Sequence, residues 1–167
     1  MVLEPAMGVG NFFGKMPMKC VKILSFMALK STIYQAELQS RFIPMLIFQF
    51  RDLRKITFQN GCFDVAFGNV PFGDLSFTDN VHSTTKLHDY FFAETLDKVK
   101  NGGILAFVTS SGTLDKQNES TRKMLAEKSD FIGAIRLPNT AFKKKCQYGS
   151  HYGYNFFCKK NENKKFR

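Results

Sequence analysis

Asp64-Val65-Ala66-Phe67-Gly68-Asn69-Val70-Pro71-Phe72-Gly73-Asp74 is the stretch on which the reading of this chain turns. Its first half is nearly continuous apolar sequence of strand length, and it breaks at Asn69 into a proline-containing turn. One account of Asn-x-Pro-Phe after a strand is structural: proline fixes a turn and the phenylalanine packs beneath it. The other is chemical. An amine on a planar ring attacks carbon poorly while its lone pair is delocalised into that ring. The Asn69 side-chain oxygen and the carbonyl before or at Pro71 can accept its two N–H hydrogens and draw the nitrogen toward sp3 character, while Phe72 stacks on the ring. No base need remove a proton first. The tetrapeptide alone leaves both accounts open.

The amino terminus adds a second block. Val2-Leu3-Glu4-Pro5-Ala6-Met7-Gly8-Val9-Gly10-Asn11-Phe12-Phe13 reads as a short apolar strand, an acid at its carboxyl end, and a glycine-rich turn opening a helix. Gly8 and Gly10 let a backbone approach a ligand closely, and open α/β sheets bind ligands at the carboxyl ends of their strands. A lone Gly-x-Gly is equally well a structural turn. Two such blocks in this order, each at the end of a strand, reinforce one another.

A third block runs from His88 to Lys100, with Phe92, Leu96 and Val99 at helical spacing, and stops at Asn101-Gly102-Gly103. The strand-like Ile104-Leu105-Ala106-Phe107-Val108-Thr109 follows. A polar, helix-compatible piece from about Asn118 to Lys128 then precedes a strand over Phe131–Pro138 and the loop Asn139-Thr140-Ala141-Phe142. This alternation predicts a layered α/β domain.

Together these blocks resemble the catalytic domain of adenine-N6 DNA methyltransferases. The resemblance is closest to the methylase part of large bacterial mobile-element and phage proteins that join a methylase to a helicase. It rests on LEPAMGVGNFFG, FDVAFGNVPFGD, HDYFFAETLDKVKNGGILAFVTSSGTLD and IGAIRLPNTAF, somewhat under half of the chain. Val70 stands where most of the wider superfamily has proline, and it fits this subgroup. The resemblance implies a Rossmann-like class I α/β core that uses S-adenosylmethionine and acts on DNA. It implies that Glu4, Pro5, Ala6, Gly8, Gly10 and Asn11 line the cofactor. Asn69 and Pro71 would accept from the adenine amine, and Phe72 would stack on the flipped base.

From Cys20 to about Arg54 the resemblance lapses, and no regular strand, turn and helix pattern is apparent. Read two bases along, those codons can give RENSKFYGVEID followed by LSGRIAKQIYPDANI, similar to the family's second strand and its ribose-binding acid. That acid would fall across Leu29 and Lys30. Cys146–Lys160 read one base along can give ASTEVTTDIIFFVKK, similar to the family's final strand. The expectation is a frameshift near Cys20, repaired near Lys55, and a second in the tail. An ordinary divergent insert with a tyrosine-rich tail is the competing account.

With 167 residues, 44% of them hydrophobic, the chain suits one domain with a core. A formal net charge of +10 favours an anionic partner. Much of the basic excess lies toward the end, at Lys143–Lys145, Lys159, Lys160, Lys164, Lys165 and Arg167, where a solvated tail explains it as well as phosphate contact does. Cys20, Cys62, Cys146 and Cys158 have no metal-ligand spacing, so no metal site is expected. His82, His88 and His151 are scattered singly, with His88 near a helix start. Asp115 and Arg136 are charges at a loop and a strand end that could face a cleft or pair on the surface. No secretory signal or membrane span is evident, which implies a bacterial cytoplasmic protein.

The expected organisation is a methyltransferase core over 1–142, atypical over 20–54, and a basic tail over 143–167 that is the shifted end of the core. The core is expected to be a fragment, incomplete at both ends and lacking the helicase or recognition region of full-length relatives. Two alternatives stay open. One is the same fold acting on RNA or on a protein glutamine. The other is an inactive remnant that binds nucleic acid through charge alone.

Overall fold

The apolar run that ends at Asn69 forms strand β4 (Phe63–Asn69), and its place in the sheet explains its composition. The computed structural model describes residues 1–6, 12, 15–17, 58–70, 87–110, 113–115, 119–138 and 152–161, with 26–29, 46–49, 76–77 and 85–86 described by backbone. Among these, β1 (Val2–Glu4), β2 (Phe26–Leu29), β3 (Leu46–Gln49), β4, β7 (Val99–Ser110), β8 (Ser129–Arg136) and β9 (Tyr152–Lys159) form one sheet. A separate antiparallel pair joins β5 (Ser76–Phe77) to β6 (Thr85–Lys86). Two helices precede sheet strands: α1 (Leu87–Lys98) leads into β7 and α2 (Ser120–Lys128) into β8.

The strand order is β3-β2-β1-β4-β7-β9-β8. β1 to β4 and β7 are parallel, while β9 runs antiparallel to both of its neighbours, so β8 points the same way as β4. From β1 the chain builds outward to β3, then returns to the other side of β1 to lay down β4. The direction of winding therefore reverses between β1 and β4. β4, inside the sheet, is necessarily apolar, with Phe63 and Ala66 fully buried.

The core sits between this sheet and α1. Phe92 and Leu96, one helical turn apart, are fully buried, and the Phe92 ring meets Phe107 of β7 and Phe157 of β9 edge-on at 5.1 and 5.7 Å. Where α1 ends, Asp97 O accepts from Gly61 N–H at 2.9 Å and Lys98 O from Cys62 N–H at 3.0 Å, and Lys159 Nζ adds bonds to Asp97 O and Val99 O at 3.3 and 2.9 Å, which sets a cation against the helix's negative pole. Ser129 Oγ does a similar service for α2, donating to Leu125 O at 2.7 Å.

Several expectations are corrected. The segment 20–54, read as lacking regular strands, supplies β2 and β3, each in parallel register with its neighbour. Phe-Met-Ala-Leu and Leu-Ile-Phe-Gln are short apolar runs, and a parallel strand inside an α/β sheet asks for little more than that. The segment 143–167, expected as the shifted end of the core, supplies β9, which lies between β7 and β8. The stop expected at Asn101-Gly102-Gly103 is instead an irregularity within β7. The β4–β7 register jumps from Phe63↔Val99 to Val65↔Ile104, and Gly102 takes φ 78°, a conformation that favours glycine.

Candidate active site

A winding reversal leaves a crevice outside the carboxyl ends of the two strands that flank it, because the connections depart to opposite sides there. In this sheet those strands are β1 and β4, and they end in Glu4 and Asn69. Leu3 pairs with Ala66, so Glu4 comes level with Phe67, two residues short of Asn69. Glu4 is fully buried and Pro5 is buried beside it. A β-carbon added to Gly68 would stand 3.6 Å from Pro5 Cδ and 3.8 Å from Glu4 Cγ, so the turn after β1 lies directly on the last residues of β4. Phe12, from the turn's far side, tilts its ring against Phe67 at 5.4 Å.

Asn69 is exposed, whereas its neighbours Gly68 and Val70 are buried. Its backbone is held on the other flank, where Asn69 pairs with Val108 and Val70 N–H donates to Val108 O at 3.3 Å. The start of the Asn-x-Pro-Phe turn is thus clamped by the ladder while the Asn69 side chain is left to face outward. Alternation along β4 accounts for this, since a residue that ends a buried strand can present its side chain beyond the sheet.

Of the expected site, the fold sets Glu4 and Pro5 against Gly68, the residue before Asn69, and Ala6 lies in the turn after β1. Gly8, Gly10, Asn11, Pro71 and Phe72 lie outside the described residues. β2, adjacent to β1, ends at Leu29, so its carboxyl end carries no acid. Lys30 is also outside the described residues.

Other titratable groups sit elsewhere. Asp64 is at the opposite end of β4, where hydrogen bonds from Lys100 and the terminal ammonium of Met1 hold its carboxyl down at about 2. That perturbation belongs to an exposed ion-pair cluster, not to the crevice. Burial pushes the Cys62 thiol up, which disfavours a thiolate nucleophile. His88, as expected, lies in the first turn of α1, buried and 3.2 Å from Asp89. Among the described residues no group of three His, Cys, Asp or Glu is placed to hold a metal, and no helix is long and apolar enough to cross a membrane.

Of the two alternatives open for Asp115 and Arg136, the structure shows the pair. Asp115, in the loop after β7, and Arg136, the last residue of β8, form an ion pair with oxygen contacts at 2.9 and 3.0 Å. Their separation in sequence gives no hint of it; the strand order does.

Strand order, the antiparallel β9 and the crevice define a Rossmann-like fold of the class I S-adenosylmethionine-dependent methyltransferase type. A protein of Listeria monocytogenes assigned to that class superposes with a TM-score of 0.79 at 17% identity, over 99% of this chain and 55% of its own. The M protein of the type I restriction enzyme EcoKI superposes with a TM-score of 0.73 at 16% identity, over 97% of this chain and 40% of its own. In sequence, the chain is 31% identical over 149 residues to the Defense against restriction protein B of Escherichia phage P1. That match takes in 84% of this chain but spans only 6% of the phage protein. No protein-family model matches the chain.

Proposed function

We propose that this chain is the catalytic core of an enzyme that transfers a methyl group from S-adenosylmethionine to adenine N6 in DNA, within a bacterial cytoplasm. The observation that carries the reading is the juxtaposition of Glu4 and Asn69 at the carboxyl ends of the two strands that flank the winding reversal. One holds the start of a glycine turn and the other the start of Asn-Val-Pro-Phe. The likeness to the EcoKI M protein and to the phage protein supports a substrate in DNA.

The β1 end suits the cofactor's methionine portion. A fully buried acid beside a proline, followed in sequence by Gly8 and Gly10, gives a polar wall and a backbone that lets a ligand come close. Glu4, Pro5, Ala6, Gly8, Gly10 and Asn11 would hold it there. When bound, S-adenosylmethionine supplies an electrophilic sulfonium methyl group. The remaining work falls to the chain. The Asn69 amide oxygen and the Pro71 carbonyl accept the two N–H hydrogens of the adenine amine, which localises the nitrogen lone pair and aims it. Phe72 stacks on the extruded base and offsets part of the cost of unstacking it. The proton leaves after transfer, so no residue of low or matched pKa is required at the crevice. With the aliphatic Leu29 ending β2, this strand end would not itself supply an acid to the cofactor's ribose hydroxyls.

The test is transfer of radiolabelled methyl from S-adenosylmethionine to unmethylated duplex DNA, RNA and a glutamine-containing peptide in parallel. Label recovered as N6-methyladenine in DNA is the expected result. Label in RNA or peptide alone would reassign the substrate, and no cofactor binding by calorimetry would leave an inactive remnant.

A further inference from the structure

The sheet end that carries Asn69 also carries two arginines tied to one loop. β8 runs in the direction of β4, so Arg136, its last residue, emerges at the same end as Asn69. Arg122 lies in the first turn of α2, and that turn is also at this end, because α2 descends to the start of β8. Both reach the loop after β7: Arg122 Nη1 donates to Leu114 O at 3.1 Å, and Arg136 Nη2 donates to Asp115 Oδ1 and Oδ2 at 3.0 and 2.9 Å.

Stability does not account for this arrangement. The Arg136–Asp115 pair is 66% and 42% exposed, and ion pairs so exposed contribute about 0–1 kcal/mol. Both Arg136 contacts use a single terminal nitrogen, so Nε and Nη1 keep three N–H donors that are not engaged by Asp115.

We propose that Arg136 is a phosphate contact that seats the DNA strand flanking the target base. The inference rests on the reading of a DNA substrate given above. From β4 to β8 is three strand spacings, roughly 14 Å at about 4.8 Å each. That is the scale of a B-DNA major groove about 12 Å wide, so a backbone phosphate can lie over Arg136 while a base is extruded toward Asn69. Asp115 fixes the guanidinium plane and orders the remaining donors outward.

Binding of the whole chain to a short fluorescein-labelled duplex is followed by anisotropy between about 50 and 200 mM salt. Arg136→Gln is expected to flatten the log K against log salt slope by about 0.9, so that a tenfold rise in salt weakens it about eightfold less than the parent. Arg136→Lys keeps the charge but loses the paired contact, and should retain the parent slope; Asp115→Asn should not flatten it. An unchanged slope in Arg136→Gln, or an equal loss in Arg136→Lys, overturns the proposal in favour of a surface staple. Since no cofactor or turnover enters this readout, it can fail while methyl transfer succeeds, and the reverse.

Discussion

Replacing Asn69 by alanine separates the chemical account of the Asn-Val-Pro-Phe turn from the structural one. The contacts that fix this position are main-chain contacts, the pairing of Asn69 with Val108 and the bond from Val70 N–H to Val108 O. The side chain is exposed, so truncation opens no cavity and strands no buried partner. The cost in stability should stay within about 0.5 kcal/mol, as for surface positions generally. Loss of a hydrogen-bonding group aimed at the reacting centre has a larger effect, about 10²–10³ in rate, equivalent to about 2.7–4 kcal/mol of barrier. Single-turnover methyl transfer to duplex DNA, run beside thermal melts and cofactor calorimetry, measures each quantity independently. The expected variant melts like the parent, binds S-adenosylmethionine like the parent, and transfers at least a hundredfold more slowly, to about the order given. A variant that keeps the parent's rate would reduce Asn69 to a turn residue and refute the clamp. A slow variant that also melts early would show that the ladder does not hold the turn as argued.

Further outcomes follow from the packing and the charges. Phe92→Ala removes a fully buried ring that lies between Phe107 and Phe157, and should cost about 3–5 kcal/mol in denaturant unfolding. Leu29→Asp restores an acid at the end of β2 and should tighten S-adenosylmethionine about tenfold or more by calorimetry, since a hydrogen bond to a charged group contributes about 1.5–3 kcal/mol; unchanged affinity would mean that this strand end does not face the ribose. Asp64, held at about 2 against an unfolded value near 3.9, favours the folded state above about pH 4 and loses that contribution as pH falls toward 2. The melting difference between Asp64→Asn and the parent should therefore be small at neutral pH, shrink with salt because the site is exposed, and vanish near pH 2. The coding DNA should carry synonymous bases compatible with the shifted frames over 20–54 and 146–160; incompatible codons would make those segments divergent sequence.

What the residues determined by themselves was the local chemistry and the alternation of elements. Phe92 and Leu96 marked the buried face of α1, the apolar run into Asn69 marked a central strand, and Glu4 marked the acid at the end of β1, because helical period, strand composition and turn chemistry are written over a few neighbouring positions. Tertiary structure decided what depends on partners far away in sequence. β2 and β3 have too little pattern to be recognised alone, and they become strands because β1 offers an edge to pair with. β9 becomes an inner strand because it pairs along nearly its whole length with both β7 and β8. The meeting of Glu4 with Gly68, and of Arg136 with Asp115, follows from strand order and register. Local sequence sets what a segment can become, but adjacency across a sheet is set by pairing energy summed over strands that the chain visits out of order.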